Sequence, residues 1–203
     1  MNKIITDLLI GVLLGDAHIG RTGENKAFIS FEQSKKKLDY LNFLYKLCQD
    51  GGLDLTEMKT YSRTDLRYPD NITESLYFRT KSLEKLKFLA DMFLNKDNKK
   101  VVPLNIADYL NPRSLVFWIM DDGQQVKNGG VTLCTDSFNS LEINILRDAL
   151  STNFNIVSTI HKKKSSSQSY FDRIYIQKKS LIQIKLLLKE HFHESMLYKI
   201  NET

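Results

Sequence analysis

Cysteine, proline and long apolar runs are all scarce in this 203-residue chain, and each shortage excludes a class of protein. The only cysteines, Cys48 and Cys134, exclude a disulfide framework and a zinc site, so we expect a reducing, intracellular environment. The three prolines leave no proline-rich linker, and 95–112 is the natural joint. No apolar run is long enough to span a membrane, and residues 1–7 lack a secretory or transit pattern. We therefore expect a soluble chain with no membrane partner.

Basic residues moderately outnumber acidic ones, 29 to 24. The formal net charge of +5 favours a polyanionic partner without identifying one. Lysine outnumbers arginine by 22 to 7, and isoleucine and asparagine are frequent, as an AT-rich coding sequence would produce. This bias suggests a gene of a mitochondrion or chloroplast.

Two apolar segments end abruptly in an acid: 9–17 (LIGVLLGDA) and 115–123 (LVFWIMDDG). Each predicts a helix buried nearly all round that carries Asp16 or Asp122 at its C-terminal end. One such segment would be an ordinary core helix ending at a turn, but two copies 122 − 16 = 106 positions apart indicate a duplicated half. An acid at the negative end of a helix dipole is disfavoured by up to about 1 kcal/mol, so two of them suggest a compensating divalent cation.

With these residues the sequence resembles the LAGLIDADG homing endonucleases, whose nine-residue motif aligns with both segments without gaps. Both final acids match, and Gly11 and Gly15 are small enough to let two motif helices approach closely. Phe117 and Trp118 in the second segment indicate an asymmetric helix pair, as in a single-chain protein. Further blocks resemble single-chain members encoded by mitochondrial introns: 15–19, 98–103, 120–123 and 196–199.

The resemblance implies an α+β fold: a duplicated αββαββα unit, forming a pseudo-two-fold monomer whose two antiparallel β-sheets make a DNA-binding saddle. The predicted halves are 1–97 and 98–203. The implied function is that of a homing endonuclease, which makes a staggered double-strand break at a long non-palindromic target and promotes intron mobility. Hydrolysis of the phosphodiester would depend on two or more Mg²⁺ ions, for which Mn²⁺ can substitute.

The same resemblance implies the metal ligands. Asp16 and Asp122 would each hold a cation and serve one DNA strand. The backbone carbonyls of Gly15 and Asp121, one residue before each acid, would be further ligands, and Asp121 is otherwise expected to be structural.

Basic residues and a glutamine complete the predicted catalytic set. Lys100 and Lys199 match basic residues near the active sites of the family, where they would polarise water or stabilise the phosphorane charge. Gln124 and Gln125 stand where a small residue and then a base are expected, which weakens the case for the second site. A glutamine at 124 can still position water or contact a phosphate.

Alternating polar and apolar residues predict strands with one wet face at 26–33, 74–80, 131–135 and 170–177. Serines are predicted to cap the helices that follow these strands: Ser34, Ser82, Ser137 or Ser140, and Ser180.

The outward positions of these strands carry side chains that can recognise base edges in a major groove, although an ordinary solvated sheet face is the alternative. A basic loop at 161–164 with the following 165–169, and the polar stretch 60–68, could contact phosphates or simply be solvated. The candidate DNA contacts are Lys26, Ser30, Glu32, Arg63, Arg67, Tyr77, Arg79, Lys81, Lys127, Thr132, Cys134, Lys162, Lys163, Arg173, Tyr175 and Gln177.

Two other functions stay open. A maturase would bind its own group I intron RNA, and its splicing activity would depend on basic residues away from the saddle. A domesticated, non-cleaving nucleic-acid-binding protein is the third possibility, and the presence of both Asp16 and Asp122 argues against it.

Overall fold

The computed structural model describes residues 1–64, 72–127, 129–164 and 169–201. Within these residues the chain forms six α-helices and eight strands. The helices are α1 (Lys3–Leu14), α2 (Leu38–Asp50), α3 (Lys87–Phe93), α4 (Pro112–Asp122), α5 (Ser140–Phe154) and α6 (Lys178–Lys189). The strands are β1 (His18–Thr22), β2 (Lys26–Ser34), β3 (Lys59–Thr64), β4 (Ile72–Arg79), β5 (Gly123–Gln125), β6 (Val131–Leu133), β7 (Ser158–Lys164) and β8 (Tyr170–Ile176). The predicted order, a helix, two strands, a helix, two strands and a helix, is confirmed in both halves.

Two antiparallel sheets of four strands each carry the fold, as the α+β prediction requires. Their strand orders are β1-β2-β4-β3 and β5-β6-β8-β7, so the same topology occurs twice. The alternation predicted for 26–33 is confirmed, since Ala27, Ile29 and Phe31 are buried while their neighbours are partly or fully exposed. Each sheet therefore presents one apolar face to helices and one polar face outward.

The described residues group into two compact units whose boundaries do not follow the chain simply. The first unit contains Met1–Ile5 and Asp16–Lys100, and the second contains Thr6–Gly15 with the chain from Val101 onward. Most of α1 therefore packs within the second unit, although the acid that follows it belongs to the first. The repeat boundary at 97/98 stays a prediction about the sequence.

Helix α1 confirms the prediction of burial nearly all round. In the second unit, Leu8, Leu9, Val12 and Leu13 are fully buried, as is Trp118 on α4. In the first unit, stacking of Phe31 on Phe78, with ring centroids 4.6 Å apart, forms part of the core beneath β2 and β4. No helix among the described residues has the length and apolar character needed to cross a bilayer.

Two of the predicted helix caps, Ser82 and Ser180, are wrong because their hydroxyls contact tertiary partners. Ser34 is the predicted cap of the segment after it, a short 3₁₀ turn ahead of α2, and its hydroxyl accepts a hydrogen bond from the Lys36 amide. Ser140 is the first residue of α5, but the capping side chain is that of Asn139, which forms a capping box with Glu142. Ser82 lies with its hydroxyl 3.0 Å from that of Thr22. The Ser180 hydroxyl accepts a hydrogen bond from the Val157 amide, so it ties α6 to the chain ahead of β7.

The predicted basic loop at 161–164 is also wrong. His161 and Lys164 pair in register with Arg173 and Tyr170, so these residues form the end of β7. Residues 165–168 lie outside the described part of the chain.

Candidate functional site

The motif helices touch through glycine, as predicted. In the second unit, a Cβ added to Gly11 would lie 2.3 Å from the Ser114 carbonyl oxygen and 2.6 Å from the Phe117 Cβ. A Cβ added to Gly15 would lie 2.5 Å from the Asp121 Cβ. Both glycines are therefore required by close approach of α1 to α4, and the large Phe117 faces the smallest possible residue. This contact supports the C-terminal ends of both motif segments.

The first acid stands in the first unit, at the turn between α1 and β1. Asp16 is exposed, and its Oδ2 accepts a hydrogen bond of 2.9 Å from the Gln33 side chain. Gln33 is only 6% exposed because it continues the buried stripe of β2. An open pocket of about 340 Å³ lies here, lined by Asp16, Glu32, Gln33, Ser34 and Lys37. The pocket brings two acids, an amide, a hydroxyl and an ammonium group together.

Lys100 lies beside the same acid along the backbone. Its ammonium donates a hydrogen bond of 3.2 Å to the carbonyl of Ala17, the residue after Asp16. The backbone of Lys100 is bridged to Leu94 after α3, which holds the half-buried side chain against this turn. Lys100 therefore lies beside the turn that carries Asp16, and its catalytic role stays a prediction.

The second acid ends α4 in the second unit. Asp122 is half-buried, and its carbonyl accepts a hydrogen bond of 3.1 Å from the Cys134 amide, which joins the helix end to the residue after β6. The buried ammonium of Lys199 donates to the carbonyls of Met120 and Asp121 at 2.5 and 2.9 Å. Lys199 thus places a positive charge at the negative end of α4, immediately before the acid.

The donor set can be tested against the predicted metal. Among the described residues, no three His, Cys, Asp or Glu side chains form a cluster that could hold an ion by themselves. Mg²⁺ is commonly held by one or two carboxylates together with waters and substrate phosphates. Asp16 is exposed and lies beside the oxygen-bearing side chains of Glu32, Gln33 and Ser34. This donor set fits a cation that binds together with a phosphodiester.

The polar face of the first sheet contains most of the predicted DNA contacts of that half. Ser30 lies opposite Arg79, and Glu32 lies opposite Tyr77. Lys26 shares this face because it follows the same two-residue alternation. Glu32 accepts hydrogen bonds from both Tyr61 and Arg63, so it is held by β3. Lys81 is exposed beyond the end of β4, and Arg67 lies outside the described residues.

The polar face of the second sheet is built in the same way. Gln124 pairs with Thr132, Thr132 with Tyr175 and Tyr175 with Thr159, while Arg173 pairs with His161. The His161 and Tyr175 rings stack with centroids 4.6 Å apart.

Adjacent strand residues point to opposite faces, which separates two of the predicted contacts. Lys163 pairs with Phe171 and shares the face of Arg173, whereas Lys162 pairs with Asp172 on the opposite face. The register therefore disfavours the expectation that both lysines contact one DNA surface. Lys127 is exposed in the turn after β5, and Gln177 is the half-buried residue that precedes α6.

Arg173 on the second face is held by three hydrogen bonds to other side chains. Its Nε and Nη2 donate to Asp136 at 2.7 and 2.5 Å, and its Nη1 donates to Gln124 at 3.1 Å. The hydrogen bonds to Asp136 raise the pKa of Arg173 above its ordinary value. Nearby, burial raises the pKa of Cys134 to about 11, so this thiol is neutral at physiological pH.

Sequence reasoning missed Gln33, Lys37 and Asp136. A signal existed for Gln33, because a polar residue there interrupts an apolar stripe that runs through Ala27, Ile29 and Phe31. Lys37 and Asp136 gave no such signal, since turns commonly contain Lys and Asp.

Comparison with known proteins agrees with this geometry. Cytochrome b mRNA maturase bI2 of Saccharomyces cerevisiae is 28% identical over 98% of this chain and 48% of that protein, so the chain spans about half of its length. DNA endonuclease I-ChuI of Chlamydomonas applanata is 28% identical over 97% of this chain and 94% of that protein. Among solved structures, the homing endonuclease I-WcaI bound to its DNA recognition sequence is 25% identical, with a TM-score of 0.85 over 100% of this chain and 88% of that one.

The family model matches residues 6–184, which include both acids, both sheets and the contact between α1 and α4. The chain therefore belongs to the LAGLIDADG DNA endonuclease family.

Proposed function

We propose that this protein is a site-specific DNA endonuclease that cuts both strands of a long, non-palindromic target and thereby promotes insertion of its intron. The observation that carries the proposal is the repeated arrangement of an acid at the end of an apolar helix, followed by a four-stranded sheet with a polar face. Asp16 begins this arrangement in the first unit and Asp122 in the second. The family membership and the DNA-bound relative support it.

Recognition of double-stranded DNA would use the two polar sheet faces, because a β-ribbon fits the major groove. The cross-strand pairs on the two faces carry different side chains. Ser30 lies opposite Arg79 in the first sheet, and Thr132 lies opposite Tyr175 in the second. Two faces with different chemistry favour a target whose halves differ, and a single chain that acts as a monomer.

Divalent cations, in our proposal Mg²⁺, would be held separately by the Asp16 carboxylate and by the Asp122 carboxylate, with the carbonyls of Gly15 and Asp121, one residue before each acid, as further ligands. Such an ion would supply an activated water and neutralise charge on the leaving oxygen. The Gln33 amide fixes the orientation of the Asp16 carboxylate, so less order has to be imposed when substrate binds.

The predicted catalytic lysines and Gln124 stay proposals with defined positions. Lys100 places an ammonium beside the turn that carries Asp16, and Lys199 does so at the end of α4. Positive charge at these places would stabilise the phosphorane as charge develops. Gln124 lies two residues after Asp122 and contacts Arg173, from where it can orient a phosphate or a base.

A maturase function is the second candidate, because one relative is named a cytochrome b mRNA maturase. In that case an intron RNA would be bound, and splicing would depend on basic residues away from the polar sheet faces. The same relative and the lysine-rich composition support an organellar gene as the origin of this chain.

The decisive experiment is cleavage of a plasmid library with randomised inserts by the full chain, with Mg²⁺, with Mn²⁺ and with EDTA. The variants are Asp16→Asn and Asp122→Asn, and the matched control is Asp108→Asn, an exposed acid on a separate turn. We expect discrete double-strand breaks that need the cation, are lost in both motif variants and persist in the control. Binding without cleavage, or cleavage that survives both substitutions, would refute the proposal. Splicing of an intron RNA with no DNA cleavage would favour the maturase.

A further inference from the structure

The polar face of the second sheet contains an arginine whose plane is fixed before any ligand arrives. Arg173 on β8 is held along one edge by both carboxylate oxygens of Asp136 and at its other terminal nitrogen by Gln124. Only 14% of its side-chain surface is exposed. The rotamer entropy that an arginine loses on binding has therefore largely been lost on folding.

The donors that remain define the ligand. A guanidinium has five N–H groups, and three of them are engaged by Asp136 and Gln124. Among the described residues, this leaves one N–H on each terminal nitrogen of Arg173. Two donors on one planar group match the O6 and N7 acceptors of guanine, whereas adenine presents a donor in place of O6 and thymine only one acceptor.

Electrostatics favours a base over a phosphate at this position. The bidentate Asp136 carboxylate neutralises the guanidinium charge and would repel a phosphate placed close to it. Lys163, exposed on the same face of β7, carries no comparable pairing with an acid among the described contacts and is better suited to the backbone. A neutral base edge experiences no such repulsion.

The position of Arg173 also locates the base. Gln124 follows Asp122 by two residues, and the Cys134 amide binds the Asp122 carbonyl, so the arginine lies near the acid of its own unit. A base contacted here lies within a few base pairs of the bond that this acid would help to cut.

We propose that Arg173, positioned by Asp136 and Gln124, specifies a guanine in the half of the target bound by the second sheet. The inference rests on the proposed DNA endonuclease function and adds a specificity-determining residue to it.

The test compares cleavage profiles over a target library in which each position is varied singly. Arg173→Lys keeps the charge but loses the planar fork, and Asp136→Asn keeps the shape but loses the bidentate acceptor. The matched control is Arg147→Lys, because Arg147 hydrogen-bonds Ser158, which points away from the polar face of β7. We expect Arg173→Lys to lower guanine preference at one or two adjacent positions by roughly 5- to 150-fold. Asp136→Asn should weaken the same preference less, and the control should not change it.

A chemical substitution in the DNA keeps the test independent of protein folding. Replacing the specified guanine by 7-deazaguanine removes the N7 acceptor, and it should weaken wild-type cleavage at that position alone. Thermal melts of each variant verify the fold.

Three results would overturn the inference while leaving the endonuclease intact: an unchanged profile in Arg173→Lys, a uniform loss at all positions, or a lowered melting temperature with unchanged base preference. The second result would indicate a phosphate contact and the third a purely structural ion pair. Failure of the wild type to cleave any DNA would instead refute the proposed function, and the inference with it.

Discussion

Gly11→Ala is the most direct test of the helix contact that supports both motif segments. A helix normally gains about 1 kcal/mol when alanine replaces glycine, because glycine has the larger conformational entropy to lose. Here the added Cβ would lie 2.3 Å from the Ser114 carbonyl oxygen, whereas ordinary contact begins at 3.4 Å. The helices would therefore have to separate by 3.4 − 2.3 = 1.1 Å at this point.

Such a separation is costly because the contact is packed on both sides. Leu8, Val12, Leu115 and Trp118 are fully buried, and a gap of up to about 1 Å forfeits a quarter to a half of the dispersion attraction at each affected atom pair. Overpacking against backbone costs up to about 3 kcal/mol. Subtracting the helix gain leaves a net loss of about 2 kcal/mol, which for a chain of this size lowers Tm by about 4–8 °C.

Thermal unfolding followed by circular dichroism measures the effect. The matched control is Ile4→Ala, an exposed position on the same helix, which should change the free energy of unfolding by less than about 0.5 kcal/mol. If Gly11→Ala melted at the same temperature as the control or higher, the close approach of α1 to α4 would be refuted.

Three further substitutions test other parts of the structure. In urea denaturation, Asn139→Ala should lower the free energy of unfolding by about 1 kcal/mol because it removes the α5 cap, whereas Ser137→Ala should leave it unchanged. Equal effects of the two substitutions would contradict the capping assignment. Lys199→Met should cost about 2 kcal/mol in the same assay and more than Lys100→Met, because Lys199 is buried and donates to two carbonyls, whereas Lys100 is half-buried and donates to the Ala17 carbonyl at 3.2 Å. The reverse order would contradict the helix-end role of Lys199. Burial raises the pKa of Cys48 to about 12, so the free energy of unfolding should fall as pH rises above about 9, where the thiol ionises in the unfolded chain but not in the folded one. Cys48→Ala should remove about 1 kcal/mol of that loss per pH unit. An identical pH profile in both proteins would show that the thiol does not contribute.

Local pattern was sufficient for the larger elements and insufficient for their ends. The strand at 26–33 followed from alternation, because a pleated strand places successive side chains on opposite faces. Ser82 and Ser180 had the residue type of a cap, but their hydroxyls contact Thr22 and the Val157 amide. A hydroxyl group binds whichever partner the folded chain brings near, and that partner can be distant in sequence.

In the candidate site, too, some residues could be identified from the sequence and others only from the structure. Asp16 and Asp122 could be found from the sequence, because an acid that ends an apolar run is visible without coordinates. Gln33 and Lys37 could not be assigned, since their proximity to Asp16 depends on how β2 and the turn after it lie against the turn that carries Asp16 within the first unit.

The sequence alone therefore determined the duplicated order of helices and strands, the two motif acids and the glycines between the helices, because periodicity and residue size act locally or repeat along the chain. Tertiary structure alone decided which helix belongs to which compact unit, which polar groups share a sheet face, and which partners hold Asp16, Lys199 and Arg173. These last features depend on register and on contacts between residues far apart in sequence, such as Lys199 and Met120, which are 79 positions apart. A register is set by the packing of the whole sheet.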